Sequence, residues 1–143
     1  MYTIGELAAD PNFFAFGRFA VLAFFAIVFL QSGLNKVVDS EGNLAYMQES
    51  FAQAPTLQGM IGGLFWALTA LELAAGILCA LGIVTFGFVS GSFLARWGIR
   101  LATLSLLALI FGQRMAKDYG GAAVVASYFA VALIGNLFFA LDR

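Results

Sequence analysis

The sequence has no histidine and a single cysteine, Cys79. The absence of histidine excludes bis-histidine haem ligation, histidine-ligated zinc or copper, and catalysis by a serine–histidine pair. One cysteine excludes an internal disulfide, and its apolar neighbourhood favours a small packing residue over a reactive thiol. The sequence also has no glycine-rich phosphate loop between a strand and a helix, so we expect no nucleotide site.

Charged residues are equally scarce. They make up only 10% of the chain, against roughly 25% in soluble domains. Hydrophobic residues make up 62%, and the mean hydropathy is +0.95. The surface of a soluble domain cannot be built from this composition, which is typical of an integral membrane protein. The net charge of −1 also excludes electrostatic binding of nucleic acid, which needs a basic face.

Four apolar segments are long enough to cross a bilayer as helices, which takes about 20 residues. The first, at residues 13–34, follows Asp10-Pro11, a helix N-cap residue with proline at the first helical position. The other three are predicted at residues 59–83, 97–112 and 122–141. We therefore predict an all-α fold, a membrane-embedded four-helix bundle that forms one domain over residues 1–143.

Two of the connecting segments carry patterns of their own. Leu44, Met47 and Phe51 recur at helical spacing, which predicts a short amphipathic helix on the membrane surface or capping the bundle. The apolar, glycine- and serine-rich segment after the second span contains Gly87-x-x-x-Gly91, a spacing that allows close helix packing. Because the chain has sixteen glycines, chance explains this second pattern better than a functional helix contact does.

Lysine and arginine are divided almost evenly between the two ends of the predicted bundle. The end that carries the termini has four and the opposite end has three: Arg18, Arg96, Arg100 and Arg143 against Lys36, Arg114 and Lys117. The positive-inside rule therefore predicts cytoplasmic termini.

Three of these arginines, Arg18, Arg96 and Arg100, are predicted to anchor their helices at lipid headgroups. Arg96 and Arg100 are four residues apart and share a helix face, so a site for an anionic substrate is the alternative.

Several short motifs occur in an order that is found in a known family. Residues 29–36, Phe-Leu-Gln-Ser-Gly-Leu-Asn-Lys, close the first span with a glycine followed shortly by a lysine. Ala45-Tyr46-Met47 and Pro55 precede the second span, which contains Leu-Glu-Leu-Ala-Ala-Gly at residues 71–76. Arg96-Trp97 opens the third span. Together these motifs cover nearly the whole chain and resemble the DoxX family.

The resemblance implies a four-helix, multi-pass protein of the bacterial inner membrane. Some DoxX-like proteins are associated with thiosulfate:quinone oxidoreductase, and others with membrane complexes that handle oxidative and thiol stress. The chain departs from many relatives between the third and fourth spans, where they carry a histidine or a tryptophan. Residues 111–119 here read Phe-Gly-Gln-Arg-Met-Ala-Lys-Asp-Tyr, so no role that depends on that histidine is expected.

Glu72 is the most informative single residue, because it lies near the centre of the second span. A carboxylate there costs about 2.5–3.5 kcal/mol on insertion scales, so we expect it to face the bundle interior. One interpretation is a polar clamp between helices, as we also expect for Asn136 in the last span. The other is a proton-relay group or a hydrogen-bonding group for a quinone.

The candidate polar site comprises Glu72, Gln31, Asn35, Lys36 and Arg100. Glu72 lies about 20 Å along the second predicted span, at 1.5 Å per residue, which places it far from the end of the first span. Arg100, one turn inside the third span, is therefore predicted to be the better-placed partner. Lys36 and Asn35 are otherwise interpreted as interfacial anchors.

The sequence leaves three functions open. The first is an accessory subunit of a redox-linked or respiratory membrane complex, with no metal, haem or nucleotide cofactor and no enzyme activity alone. The alternative is a quinone-binding component of an oxidoreductase, using Glu72 and a nearby arginine, whose electrons come from a partner. A small proton-coupled transporter fits less well, because no internal repeat is evident. The expected partners are the bilayer and a larger complex or further copies of the chain, and the expected ligands are quinone or lipid.

Overall fold

The computed structural model describes residues 1–85 and 89–141. Every regular element in this part of the chain is a helix, which confirms the predicted all-α fold. The helices are α1 (Ile4–Ala9), α2 (Pro11–Val38), α3 (Ser40–Ser50), α4 (Pro55–Gln58), α5 (Ile61–Val84), α6 (Val89–Met115) and α7 (Tyr119–Ala140). Four of them, α2, α5, α6 and α7, are long and apolar enough to cross a membrane. The pattern Gly87-x-x-x-Gly91 lies partly outside the described residues.

Three of the spanning helices, α2, α6 and α7, are longer than the apolar segments that predicted them, and α5 (Ile61–Val84) agrees closely with the predicted 59–83. Residues 97–112 were predicted for the third span, whereas α6 runs over Val89–Met115. The apolar segment was predicted to begin after Arg96, but a helix needs no apolar residue to continue through that turn. Similarly, α2 continues past residue 34 to Val38, so that Lys36 is part of the helix.

Each of the first two helices, α1 and α2, begins directly after a residue that caps it. Asp10 accepts a hydrogen bond from the Asn12 N–H, and Pro11 occupies the first turn of α2, as its sequence predicted. The short α1 begins with a capping box in which Thr3 and Glu6 exchange hydrogen bonds. The backbone and side-chain hydrogen bonds from Thr3 hold the pKa of Glu6 below its usual value.

The spanning helices pack in a closed arrangement: α5 lies between α2 and α6, and α7 packs against both α6 and α2. The interior between them is formed by fully buried apolar side chains, among them Leu22, Phe25, Phe29, Ile99 and Leu106. Cys79 is also fully buried in this core, as expected of a packing residue.

Glycines set how closely these helices approach one another. A Cβ added at Gly76 of α5 would lie 2.9 Å from the backbone nitrogen of Leu30 in α2. A Cβ added at Gly98 of α6 would lie 2.8 Å from the backbone nitrogen of Cys79 in α5. Both distances are too short for a real side chain, so α5 contacts each neighbour backbone to backbone.

The predicted amphipathic segment between the first two spans is α3. Its residues Leu44 and Met47 pack with the buried Phe51 and with Ile61 at the start of α5. The apolar side of α3 therefore caps one end of the bundle, which was one of the two positions that its sequence allowed.

The turn between α6 and α7 contains Lys117 at φ 59°. The Asp118 N–H donates to the Gln113 carbonyl at 2.9 Å, and the Lys117 N–H donates to the Arg114 carbonyl at 3.2 Å. This is the Schellman pattern, whose left-handed position is usually glycine. Lysine at this position carries a steric cost, because its Cβ crowds the following carbonyl oxygen.

Lys117→Gly is accordingly expected to raise the free energy of unfolding by about 0.5–1 kcal/mol, since glycine adopts this conformation without strain. Thermal unfolding of the detergent-solubilised protein measures the difference. Lys117→Ala is the matched control, because it removes the same charge but keeps the Cβ and should stay near wild type. Equal stability of the glycine and alanine variants would refute the strain assigned to this residue.

Candidate functional site

The most buried charged group in the described part of the chain is the carboxylate of Glu72, whose side chain is 1% exposed. It forms an ion pair with Lys36, whose Nζ lies 2.8 Å from the Glu72 Oε2. The Lys36 side chain is 17% exposed. The predicted interior position of Glu72 is thus confirmed, and the carboxylate is neutralised within the bundle by a cation from α2.

Ser32 joins the two charges into a three-membered network. It lies four residues before Lys36, on the same face of α2. Lys36 Nζ donates to the Ser32 Oγ at 2.7 Å, and Ser32 Oγ donates to the Glu72 Oε2 at 3.2 Å. The sequence prediction missed Ser32, although its spacing to Lys36 was the available signal.

The partner predicted for Glu72, Arg100, is not the one found. Arg100 is exposed, and its guanidinium lies 5.1 Å from the centre of the Trp97 ring. The prediction assumed that α5 starts level with the end of α2. Instead the contacts of Leu30 with Gly76 and of Leu73 with Gly33 place the start of α5 well beyond that end. This offset brings Glu72 level with the last turns of α2 and within reach of Lys36.

The other two members of the predicted polar site, Gln31 and Asn35, are exposed and lie outside the network. The Asn35 carbonyl accepts a hydrogen bond from the Asn43 side chain at 3.2 Å, which ties α2 to α3. Of the five predicted residues, the structure therefore brings together Glu72 and Lys36 only.

A cavity of about 290 Å³ lies beside this network, with Lys36 in its wall. It is an open cavity lined by residues of α3, the end of α2, the first half of α5, the last turns of α6 and the α6–α7 turn. Its apolar wall is formed by Met47, Phe51, Phe65, Leu68 and Leu109. Lys36 lines the cavity and also bonds to Glu72. Its ammonium group is therefore a polar donor from the ion pair in the wall of a largely apolar cavity.

Polar groups from three different segments face the same cavity. Asn43 and Ser50 come from α3, Gln113 from the last turn of α6, and Asp118 from the N-cap of α7. The Ser50 hydroxyl already donates to the Tyr46 carbonyl at 2.8 Å, and Asp118 Oδ1 already accepts from the Gly121 N–H at 2.9 Å. The cavity therefore combines an apolar wall with a polar rim and suits an amphiphilic ligand.

A second, smaller cavity of about 90 Å³ lies between α6 and the end of α7, and is lined by Arg96, Arg100 and Asn136. Both arginines line it, in agreement with their spacing of four residues. Asn136 donates to the Thr103 Oγ1 of α6 at 2.9 Å, which confirms the predicted helix-to-helix hydrogen bond. Arg18 is half-buried on α2. Headgroup anchoring by the three arginines stays a prediction.

The residues described here contain no group of three or more histidine, cysteine, aspartate or glutamate side chains placed to hold a metal ion. No family model, curated protein or solved structure matches the chain. Its four long apolar helices nevertheless establish its class. It is a multi-pass membrane protein. The resemblance to the DoxX family rests on the motifs in the sequence.

Proposed function

We propose that the protein is a small membrane subunit that binds the ring of a quinone in the cavity beside Lys36 and serves a larger redox-linked complex. One observation carries the proposal: Lys36 both neutralises the buried Glu72 and lines a largely apolar cavity of about 290 Å³. The resemblance to the DoxX family, some members of which are associated with quinone oxidoreductases, supports the choice of ligand.

The ammonium group of Lys36 is suited to a carbonyl ligand. A lysine has three N–H donors, and those to Ser32 and Glu72 account for two of them. The third remains for an oxygen on a ring that lies against Phe51 and Phe65. The cavity volume is at the small end of ligand sites, which begin at about 300 Å³. It therefore accommodates a ring, and an isoprenoid tail would extend into the lipid.

A redox partner is part of the proposal because the chain has no evident electron carrier of its own. It has no histidine and one cysteine, which is buried in the core, so its own side chains supply no evident electron carrier. A partner subunit would exchange electrons with the bound ring. We place the complex in a bacterial inner membrane with cytoplasmic termini, on the DoxX resemblance and the slight excess of lysine plus arginine, four against three, at the terminal end.

Blocking the cavity tests the proposal without touching the ion pair. Ala108 of α6 lines the cavity, and Ala108→Phe would fill much of the ring space. The wild-type protein, purified from its native membrane in mild detergent, should carry near-stoichiometric quinone on extraction and mass spectrometry. Ala108→Phe should carry at least about tenfold less, because overpacking a site typically costs more than 1 kcal/mol.

The matched control is Ala126→Phe, since Ala126 is an exposed alanine of α7 that does not line the cavity. It should retain quinone at the wild-type level. The same preparation should contain larger redox subunits. Wild-type protein that carries no quinone and takes none up would refute the binding site. Protein that retains quinone but is always isolated without redox subunits would refute the accessory role.

A further inference from the structure

The helices α5 and α6 are closely packed at one end and separated at the other. A Cβ added at Gly82 would lie 2.9 Å from the Ala95 Cα, a contact comparable to the one already described at Gly98. A Cβ added at Gly112, near the other end of α6, would have only the Phe51 Cζ within 4 Å, at 3.3 Å, and no atom of α5 in the described part of the chain. The two helices therefore diverge towards the end of the bundle that α3 caps.

The cavity described above occupies the gap between these two helices. Phe65 and Leu68 line it from α5, and Ala108, Leu109 and Gly112 line it from α6. Because the helices are antiparallel and have the same rise per residue, the register of their close contacts places Phe65 level with Gly112. The same register places Leu68 level with Leu109. The cavity is thus a widening of the contact between α5 and α6.

Two parts of the cavity wall are exposed, and they differ in chemistry. The exposed residues of the wall are Tyr46, Asp118 and Ala108. Tyr46 on α3 and Asp118 at the N-cap of α7 lie at the end of the bundle and carry a phenol and a carboxylate. Ala108 lies within a spanning helix, about 10 Å from its end at Met115. The cavity therefore has a polar opening at the end of the bundle and an apolar opening on its side.

The side opening adjoins a surface that suits contact with lipid. Ala108 is next to a row of exposed apolar side chains on α6, which comprises Leu104, Leu107 and Phe111. A flexible apolar chain that leaves the cavity past Ala108 would stay in hydrocarbon. A chain that leaves past Asp118 would instead pass a carboxylate and expose its methylene groups to water, which is unfavourable for each group.

We infer that the ligand enters the cavity from the bilayer between α5 and α6, and that its tail occupies this side opening while its ring lies beside Lys36. This inference rests on the proposed quinone site. It narrows the ligand class to a lipid-dissolved quinone with a flexible tail, taken from the membrane rather than from water. The polar opening at Tyr46 and Asp118 is then free of the tail.

Photo-labelling of the full chain in nanodiscs tests this route with two ubiquinone analogues. The ring probe carries a photoreactive diazirine on the ring, and the tail probe carries it near the start of a decyl tail. Label is counted as specific where an excess of decylubiquinone without a diazirine removes it. Mass spectrometry of the peptides then locates each specific label in the sequence.

The ring probe should label the cavity wall around Phe51 and Phe65. The tail probe should label residues 104–111 of α6 and the neighbourhood of Leu68 at least about tenfold more than α3, because leaving even two methylene groups in water is that unfavourable. Ala108→Phe, which fills the cavity, should lose the specific label of both probes. Ala126→Phe, on the exposed face of α7, is the matched control and should keep both at the wild-type level.

Three results would overturn the side opening while leaving the quinone site in place. These are specific tail label on α3 or at the start of α7, specific ring label without specific tail label, and tail label that persists in Ala108→Phe when the ring label is lost. Absence of specific ring label from the wild-type protein would overturn both the inference and the proposed function.

Discussion

Replacing Lys36 with methionine is expected to lower the free energy of unfolding by about 3–5 kcal/mol, which is the cost of leaving one member of a buried ion pair alone. Glu72 is 1% exposed, and it would keep only the Ser32 hydroxyl at 3.2 Å as a partner. The carboxylate would lose its cation at a position where its own side chain is almost completely buried, and this should disrupt the packing of α2 against α5.

The opposite single substitution is expected to be much milder. In Glu72→Gln the amide oxygen still accepts from Lys36 and Ser32, and Lys36 is 17% exposed and faces the cavity. We expect a loss of about 1 kcal/mol, the value of a weakened hydrogen bond. The ion pair is lost in both variants, but only Lys36→Met leaves a buried charge without a partner. The difference between their stabilities therefore measures the cost of that unpaired buried charge.

The double variant Lys36→Met with Glu72→Met should recover most of the stability, since replacing a whole buried pair with apolar side chains is often neutral or stabilising. Equilibrium unfolding in mixed micelles measures all three variants. Lys117→Met, at an exposed lysine outside the cavity, controls for the loss of charge alone. A Lys36→Met protein as stable as this control would show that the buried pair does not stabilise the bundle.

Gly98→Ala is expected to destabilise the bundle by about 1–3 kcal/mol, although alanine is the better helix former. The added Cβ would lie 2.8 Å from the backbone nitrogen of Cys79 and 3.1 Å from the backbone carbon of Leu78. Both atoms belong to the main chain of α5, so no side chain can rotate away and the two helices must separate.

Gly63→Ala is the matched control within α5, because a Cβ at Gly63 would have nothing within 4 Å. It should raise the free energy of unfolding by about 0.5 kcal/mol through helix propensity alone. The same mixed-micelle unfolding experiment compares the two, and the expected effects have opposite signs. A neutral or stabilising Gly98→Ala would show that α5 and α6 are not in backbone contact at this point.

Much of the architecture could be predicted from local patterns. The number and order of the spans follow from apolar runs, and the start of α2 follows from Asp10-Pro11. The inward position of Glu72 follows from the cost of a carboxylate in lipid. Each of these depends on residues that are close together in the sequence, or on a general property of the bilayer.

The identity of the Glu72 partner could not be predicted in this way. It depends on how far α5 is displaced along α2, and that displacement is set by Leu30 against Gly76 and by Leu73 against Gly33. No single segment contains this information, because both helices contribute to each contact. The cavity was missed for a related reason, because no single segment shows that α3, α5 and α6 come together around it.

The separation of Lys36 and Glu72 onto two helices also has a consequence for how the protein is made. The helix α2 precedes α5 in the chain, so the cation is synthesised first. When Glu72 enters the bilayer during translation, a neutralising group is already present on an inserted helix. Insertion of α5 beside α2 would therefore spare the carboxylate a period in lipid without its cation.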